Sequence, residues 1–222
     1  MDQAKRNFVA RAAVFGVVGA ACPGVGAFAA ALAKTPPMDL GPFYPVERLV
    51  EDDADLTRLA GHTDQAKGQV LDLTGRILTP DGKPVAGARI EIWQANAAGR
   101  YAHHGDTHAA PLDPNFQGFG VQKTDGEGRF RFLTVKPGAY PAGSFMRSPH
   151  THMDIAGKWD RLVTQMYFPG DPLLAQDKVL AIDLIPYGGK TPAGIFGKLT
   201  PGASTADPGA TLCLFDIVLR NG

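Results

Sequence analysis

Residues 124–133 read TDGEGRFRFL, and this stretch decides the fold. Its first five residues include an aspartate and two glycines, which is typical of a turn between strands. After the turn, Phe130 and Phe132 alternate with Arg129 and Arg131. Because successive side chains of a strand point to opposite faces, the phenylalanines share a buried face and the arginines share a solvated one. The stretch therefore predicts a half-buried strand that follows a tight turn.

Short apolar segments with similar patterning recur on both sides of this strand. Turns rich in proline and glycine separate them, as at residues 79–84, and no long window after residue 33 keeps a helical period. The pattern predicts an all-β fold, a two-sheet β-sandwich of antiparallel strands with long loops, in one domain over residues 71–222. Further strands are predicted at residues 73–78, 88–93, 150–155, 162–168, 179–184 and 211–219.

Two segments are predicted to be less regular. Residues 34–70 form an N-terminal arm whose only regular structure is a short helix near residues 53–59. Residues 186–209 are rich in glycine and proline and are predicted to form a long loop.

Composition excludes several functional classes. The chain has 222 residues, with 22 Lys+Arg and 22 Asp+Glu, so its net charge is zero. Bulk charge therefore gives no support for binding to nucleic acid or to an anionic membrane, and we expect neither. The two cysteines, Cys22 and Cys213, exclude a disulfide-rich scaffold and a multi-cysteine metal site.

The N-terminal segment has the pattern of a targeting signal. Lys5, Arg6 and Arg11 precede an uncharged run at residues 12–33 that ends in Ala-Leu-Ala. Residues 1–33 are therefore predicted to be a cleavable export signal, and the sequence KRNFV resembles a twin-arginine signal with lysine in place of the first arginine. The protein is expected in the periplasm or outside the cell. The alternative is an uncleaved membrane anchor, since 22 uncharged residues can span a bilayer.

A histidine pair is the sharpest local feature. His150 and His152 are two positions apart in a predicted strand, so both imidazoles lie on one face and can hold one metal ion. Taken alone, the pair is equally compatible with surface or core histidines. Tyr101 follows a run that leaves a strand, and Tyr140 lies in a rigid proline-glycine turn upstream of the histidines. Taken singly, each tyrosine reads as a packing residue.

Six motifs in chain order carry a resemblance that is far more specific than any one of them. They are GPFY at residues 41–44, WQANAAGRY at 93–101, DPNFQGFG at 113–120, KPGAYP at 136–141, RSPHTH at 147–152 and TQMYFPGD at 164–171. This series resembles the intradiol ring-cleavage dioxygenases, and among them the protocatechuate 3,4-dioxygenase branch most.

The resemblance implies a β-sandwich that holds one non-haem Fe(III) per chain. By motif position its ligands are Tyr101, Tyr140, His150 and His152. Phenolate oxygen is a hard anionic donor, which suits ferric iron, and neutral imidazoles complete the set. The implied substrates are O2 and a catechol, with protocatechuate as first choice and larger substituted catechols as second.

The resemblance also assigns roles in catalysis. The catechol displaces Tyr140, which takes a catechol proton, and the ring is cut between its two hydroxyls to give a cis,cis-muconate. Arg147 stabilises the negative charge of the activated ring, and Gln165 hydrogen-bonds substrate or intermediate. Three further residues are expected to line the substrate pocket: Pro42, Phe43 and Tyr44.

Several points stay open at this level. A ring carboxylate needs a cation near the pocket, and the sequence does not place Arg100, Lys136 or Arg161. A histidine cluster after Tyr101 reads as a polar loop near the pocket mouth or, more weakly, as a second metal site; it consists of His103, His104 and His108. The chain is expected to act as a homo-oligomer, with a related second subunit as the alternative.

Two rival functions remain. The turn-and-strand pattern at residues 75–88 and 124–130 is also typical of transthyretin-like and carboxypeptidase-regulatory sandwiches, which are non-enzymatic binding modules. An exported copper or zinc protein built on the histidines is the third interpretation, and it would not need the tyrosines.

Overall fold

The computed structural model describes residues 31–45, 52–205 and 207–221. The predicted export signal lies almost wholly outside these residues and stays a prediction. Within the described part of the chain, no helix combines the length and the apolar character needed to cross a bilayer.

The chain folds mainly into short strands, which confirms the all-β prediction. In chain order they are β1 (Val70–Leu78), β2 (Arg89–Trp93), β3 (Phe119–Lys123), β4 (Arg129–Val135), β5 (Tyr140–Ala142), β6 (Phe145–Arg147), β7 (His150–Ala156), β8 (Arg161–Tyr167), β9 (Lys198–Thr200), β10 (Thr211–Leu214) and β11 (Ile217–Val218). One α-helix, α1 (Lys178–Asp183), and three single 3-10 turns, Leu174–Gln176, Ile185–Tyr187 and Ala193–Ile195, lie between β8 and β9.

The first sheet is mixed, and the prediction of purely antiparallel strands is wrong here. Strand β1 pairs antiparallel with β4 on one side and parallel with β10 and β11 on the other, while β9 pairs antiparallel with β10. Parallel pairing arises because β10 and β11 return from the far end of the chain rather than through a hairpin. Phe215 separates these two strands, and its carbonyl approaches Gly75 so closely that a side chain there would collide.

The second sheet has the order β3-β2-β7-β8 and is antiparallel throughout. Alternate residues of β2 and β7, such as Ile90, Ile92, Met153 and Ile155, pack with the first sheet in the main core. By strand alternation, His150, His152 and Trp93 must lie on the opposite, outer face of this sheet. The core thus fixes which face of β7 is available for chemistry.

The prediction of a strand at residues 179–184 is wrong, because these residues lie in helix α1 (Lys178–Asp183) and its C-cap, Leu184. Asp177 caps the helix by accepting hydrogen bonds from the backbone N–H groups of Val179 and Leu180. Leu180 and Leu184, one helical turn apart, are both buried in a small cluster around Tyr167. Alternation over six residues cannot distinguish such a helix from a strand, and the cap decides between them.

The arm and the long loop hold more structure than predicted. No helix forms at residues 53–59, where Asp55 instead bridges to β4 and Leu56 is completely buried. The arm is bonded to the rest of the fold, since Thr35 N donates to Val218 O (3.0 Å) and Met38 N donates to Val163 O (2.9 Å). The predicted loop at residues 186–209 contains β9. The sequence patterns also missed β3 and the β5–β6 hairpin.

Candidate metal centre

The histidine pair projects from β7 as its spacing requires. The Nε2 atoms of His150 and His152 face each other at 3.1 Å. His150 Nδ1 lies 2.6 Å from the carbonyl oxygen of Ser148, which can only accept, so Nδ1 carries the hydrogen and Nε2 keeps its lone pair. The indole of Trp93 stacks on the His152 ring at 5.0 Å and holds it in place.

Two tyrosines meet this pair from different loops. Tyr140 begins β5, and its hydroxyl lies 3.5 Å from His150 Nε2. The ring of Tyr101 packs edge-on against Tyr140 at 5.3 Å between centroids. The Tyr101 hydroxyl is buried beside the Tyr140 hydroxyl, yet it has no hydrogen bond of ordinary geometry within the described residues. A buried polar atom without a partner is costly, which points to a ligand at this position.

Glycines bring the two tyrosine loops together. Gly99 has a φ of +81°, and a side chain there would collide with the carbonyl of Ala139, directly before Tyr140. The backbone N–H of Gly138 donates to Asn96 O (2.9 Å), which ties the second loop to the first. Backbones can approach this closely only because glycine has no Cβ, and the contact sets the spacing of the tyrosines.

The protonation states suit a bound cation. Burial lowers the pKa of His150 to about 3, with a smaller contribution from the Arg147 charge. Burial likewise lowers the pKa of His152 well below its usual range and raises the pKa values of Tyr101 and Tyr140. Both imidazoles are therefore neutral and can donate a nitrogen lone pair to a metal ion. The phenols lose their protons only beside a compensating positive charge. Two neutral nitrogens and two phenol oxygens fit a hard, highly charged metal ion such as Fe(III).

In the described part of the chain, the side chains that the alternative metal sites need do not come together. No group of three or more His, Cys, Asp or Glu side chains comes together there as metal ligands. His103 and His104 stack on each other at 4.5 Å, and His108 binds Asp106 instead. This arrangement disfavours both a copper or zinc site made from histidines alone and a second metal site in the histidine cluster.

Arg147 lies in the buried part of the site, not in solvent. Its Nε atom donates to both carboxylate oxygens of Asp177, at 3.0 and 3.1 Å. Its Nη2 atom donates to Gln165 Oε1 (2.9 Å) and to the Tyr167 hydroxyl (3.0 Å). Neither Asp177 nor Tyr167 was predicted from the sequence as a site residue, although Tyr167 pairs with His150 in the β7–β8 register.

A cavity of about 450 Å³ opens beside Tyr140 and Arg147. This volume lies within the range of small-molecule sites in proteins. Pro42 and Phe43 of the arm, both predicted to line a substrate pocket, form part of its wall. The other lining residues are Gly105, Asp106, Thr107, His108, Pro141, Ala142, Gly143 and Val179.

Two residues predicted for the pocket do not line this cavity. The Tyr44 hydroxyl donates to Glu91 Oε2 at 2.8 Å, and the ring packs edge-on against Trp93. Gln165 is completely buried, and its Nε2 atom donates to Asp39 O at 2.7 Å while Oε1 binds Arg147. Tyr44 therefore contacts Trp93 and Gln165 binds Arg147, and neither residue lines the cavity.

Asp106 and His108 also line the cavity; His108 was expected in a polar loop near the pocket mouth, whereas Asp106 was not predicted to be near the pocket. Asp106 accepts a hydrogen bond from the backbone N–H of Tyr101 (2.8 Å) and lies 2.6 Å from His108 Nδ1. The sequence signal was the Asp-x-His spacing five residues after Tyr101, hidden among the neighbouring histidines.

Comparisons with known proteins give similarities along most of the chain. A family profile described as Dioxygenase matches residues 40–221. The protocatechuate 3,4-dioxygenase beta chain of Burkholderia cepacia is 48% identical over 187 residues, covering 81% of this chain and 76% of the relative. Hydroxyquinol 1,2-dioxygenase of Rhizobium sp. (strain MTP-10005) is 34% identical over 158 residues, covering 64% of this chain and about half the relative's length, 50%.

A solved structure of a dioxygenase is also similar to this chain. Catechol 1,2-dioxygenase from Pseudomonas arvilla C-1 matches with a TM-score of 0.61 and 25% identity, covering 83% of this chain and 62% of that one. All of these similarities are to dioxygenases, so they favour the enzyme over the non-enzymatic binding module.

Proposed function

Because the chain belongs to the intradiol ring-cleavage dioxygenase family, we propose that it is a non-haem Fe(III) enzyme that cleaves a catechol between its hydroxyls with O2. The product is a cis,cis-muconate. The observation that carries the proposal is the convergence of two imidazole nitrogens and two phenol oxygens on one buried point, where the Tyr101 hydroxyl has no hydrogen bond of ordinary geometry with the described residues.

The iron would be held by Tyr101, Tyr140, His150 and His152, and it would act as a Lewis acid that activates the catechol ring. Only Tyr140 of this set lines the cavity. Its phenolic oxygen is therefore the ligand atom that can take a proton from an entering substrate hydroxyl. Tyr101 is buried behind it, in contact with the Phe43 ring at 4.7 Å between centroids, and stays in place.

The remaining cavity residues bind and orient the ring. Pro42 and Phe43 cover one side with apolar surface, which excludes water from the reacting atoms. Arg147 places a fixed positive charge at the cavity wall, where negative charge develops on the ring during the reaction. Since its pKa is raised by the nearby Tyr167, Tyr140 and Asp177 despite the opposing effect of burial, the guanidinium stays charged.

The test is the visible spectrum and iron content of the purified protein. We expect about one iron per chain and a broad visible band from tyrosinate-to-iron charge transfer. Anaerobic addition of catechol should shift the band, and admission of O2 should yield muconate with uptake of both oxygen atoms. A protein that stays colourless after iron loading would contradict the proposal.

Tyr140→Phe sharpens this test. Removing the phenolic oxygen should change the band and lower kcat by about 100-fold, because the proton acceptor at the cavity is lost. Tyr187→Phe is the matched control, since Tyr187 lies on a 3-10 turn and lines a different cavity. The control should keep the spectrum and the turnover of the wild type. Equal spectra for all three proteins would exclude Tyr140 as a ligand.

We propose protocatechuate as the first substrate, with larger substituted catechols second. The 48% identity to a protocatechuate dioxygenase chain supports this order. The cavity wall at Pro141, Ala142 and Gly143 carries small side chains, which leaves room for a ring substituent. A comparison of kcat/KM for protocatechuate, catechol and hydroxyquinol ranks them directly.

None of the cations that the sequence left unplaced lines this cavity, although Arg100 lies beside the lining residue Asp106. Arg100 Nε is 3.8 Å from Asp106 Oδ2, Lys136 lies over the Phe168 ring, and Arg161 binds Asp154. Arg147 is the only lysine or arginine among the described residues that line the cavity, so recognition of a ring carboxylate would fall to its guanidinium.

We propose that the chain carries a complete ligand set and acts as a homo-oligomer. The relative from Burkholderia cepacia is named as a beta chain, so a related second subunit is the alternative. Light scattering of the purified chain, together with its turnover, distinguishes the two: an inactive protein with bound iron would favour a missing partner.

We also propose export through the signal at residues 1–33. Fractionation of cells that express the full chain, compared with an Arg6→Ala variant, tests this. We expect the wild type outside the cytoplasm with a new N-terminus at Lys34, and retention of the variant if the twin-arginine route is used.

A further inference from the structure

One buried carboxylate connects three parts of the site. The side chain of Asp177 is completely buried. It accepts hydrogen bonds from Arg147 Nε, from the N–H and hydroxyl of Ser148 (2.9 and 2.8 Å), and from the backbone N–H groups of Val179 and Leu180 (3.1 and 3.0 Å). These donors belong to the end of β6, to the segment that enters β7, and to the start of α1.

The first connection sets the orientation of Arg147. Asp177 occupies Nε, while Gln165 and Tyr167 occupy Nη2. The remaining nitrogen, Nη1, forms no hydrogen bond with the described residues, and Arg147 lines the cavity. The carboxylate thus determines which edge of the guanidinium is presented to a substrate, because the planar fork has no second way to satisfy these partners.

The second connection reaches a proposed iron ligand. Both the N–H and the hydroxyl of Ser148 bind Asp177, and the carbonyl of Ser148 accepts the hydrogen of His150 Nδ1 at 2.6 Å. Partners of this kind fix the tautomer and the ring orientation of a metal-binding histidine.

The third connection reaches the cavity wall. Asp177 caps helix α1, and Val179 in the first turn of that helix lines the cavity. Removal of the carboxylate would therefore loosen the wall, the arginine and the histidine together.

We propose that Asp177 is the positioning residue of this site, holding the Arg147 guanidinium, the His150 ring and the α1 wall in one arrangement. The inference rests on the proposed ring-cleavage function. It concerns geometry, since Asp177 itself does not line the cavity and touches no reacting atom.

Asp177→Asn is the decisive variant because it keeps the shape and replaces one acceptor oxygen with a donor. At either oxygen position the new amide N–H must then face at least two N–H groups, which can only donate. We expect kcat to fall by about 10-fold to 100-fold with KM changed less than about 3-fold, and a chelator to remove iron several times faster than from the wild type.

Asp154→Asn is the matched control. Asp154 also binds an arginine through two hydrogen bonds, to Arg161 Nε (2.9 Å) and Nη2 (2.6 Å), but at the other end of β7. This control should keep the wild-type kcat and rate of iron release. Wild-type values of both in folded Asp177→Asn, or equal losses in the two variants, would overturn the proposal.

Ser148→Ala decides the case if Asp177→Asn does not fold. It removes one donor to Asp177 and leaves the bond to Arg147, so iron release should quicken with a smaller loss of kcat. Iron release and kcat equal to the wild type would then overturn the positioning role. Failure of the proposed function can be told apart from failure of the positioning role. If the proposed function is wrong, the wild type itself does not cleave the ring. The rate of iron release compares the variants with the wild type whether or not turnover occurs.

Discussion

Each end of strand β7 lies beside an arginine that binds an aspartate through two hydrogen bonds, yet the two ion pairs differ in their surroundings. In the Arg147–Asp177 pair, 4% and 0% of the side-chain surfaces are exposed, whereas in the Arg161–Asp154 pair the values are 65% and 8%. Water and salt screen the second pair, so it contributes little beyond local stability. The buried pair keeps a fixed charge at the cavity, which makes it useful for chemistry.

Coverage of the outer face explains this difference. At the His152 end, Gly41 lies against the imidazole and Phe43 packs over Tyr101, so the arm closes the site. At the other end, Asp154 is buried, but its partner Arg161 and the nearby Trp159 are open to solvent, and Trp159 is 71% exposed. The same strand therefore supports a dry site and a solvated surface, according to what lies over each part.

The largest expected effect comes from removal of a proposed ligand at the covered end. His150→Ala should leave less than about a tenth of the wild-type iron and no detectable ring cleavage, because three donors hold the ion poorly. Elemental analysis and O2 uptake measure this. His104→Ala is the control, since His104 is exposed and contacts only the His103 ring among the contacts described. Iron retained at the wild-type level in His150→Ala would contradict the ligand assignment.

A smaller effect tests the cover itself. At Gly41, with a φ of +75°, an added Cβ would lie 2.8 Å from His152 Cε1. Gly41→Ala should therefore displace the arm and raise KM for the catechol about 3-fold to 10-fold, while iron is retained. Steady-state kinetics and the visible spectrum check this.

Gly61→Ala separates backbone strain from contact. Gly61 has a φ of +80° but nothing within 4 Å of an added Cβ. Both variants carry the same strain, so the control should lose a similar amount of stability and keep the wild-type KM. If KM rises equally in both, the contact between the arm and His152 has no role in binding.

The smallest effect is expected at the open end. Arg161→Ala should lower the free energy of unfolding by about 1 kcal/mol or less and leave kcat/KM within about 2-fold of the wild type, because the pair is screened. Denaturant titrations at low and high salt measure this, and the loss should shrink at 1 M salt, where the Debye length is about 3 Å. A loss of catalytic efficiency would show that the two ends are coupled.

Part of the fold could be predicted because it is local. Phe130 and Phe132 share the buried face of β4 as their alternation requires, and the register of β7 leaves His150 and His152 side by side. The strand prediction failed at residues 179–184, where Asp177 caps a helix that alternation alone does not reveal.

In the candidate site, too, residues within short motifs could be predicted, whereas a residue brought in from a distant part of the chain could not. Motif order led to Tyr101, Tyr140, His150 and His152, which the structure brings together, and to Arg147. It did not lead to Asp177, which binds Arg147 from 30 positions further along the chain.

By itself, the sequence determined what short-range patterns encode: a mostly-β chain, the shared face of the histidine pair, and membership of the ring-cleaving family. Only the tertiary structure decided that β1 pairs in parallel with β10. It also decided that Tyr44 binds Glu91 and does not line the cavity, and that Arg147 is buried in an ion pair with Asp177. Periodicity and turn chemistry act over a few residues. Burial and ion pairing depend on which distant segments pack together, and that packing follows from the whole chain.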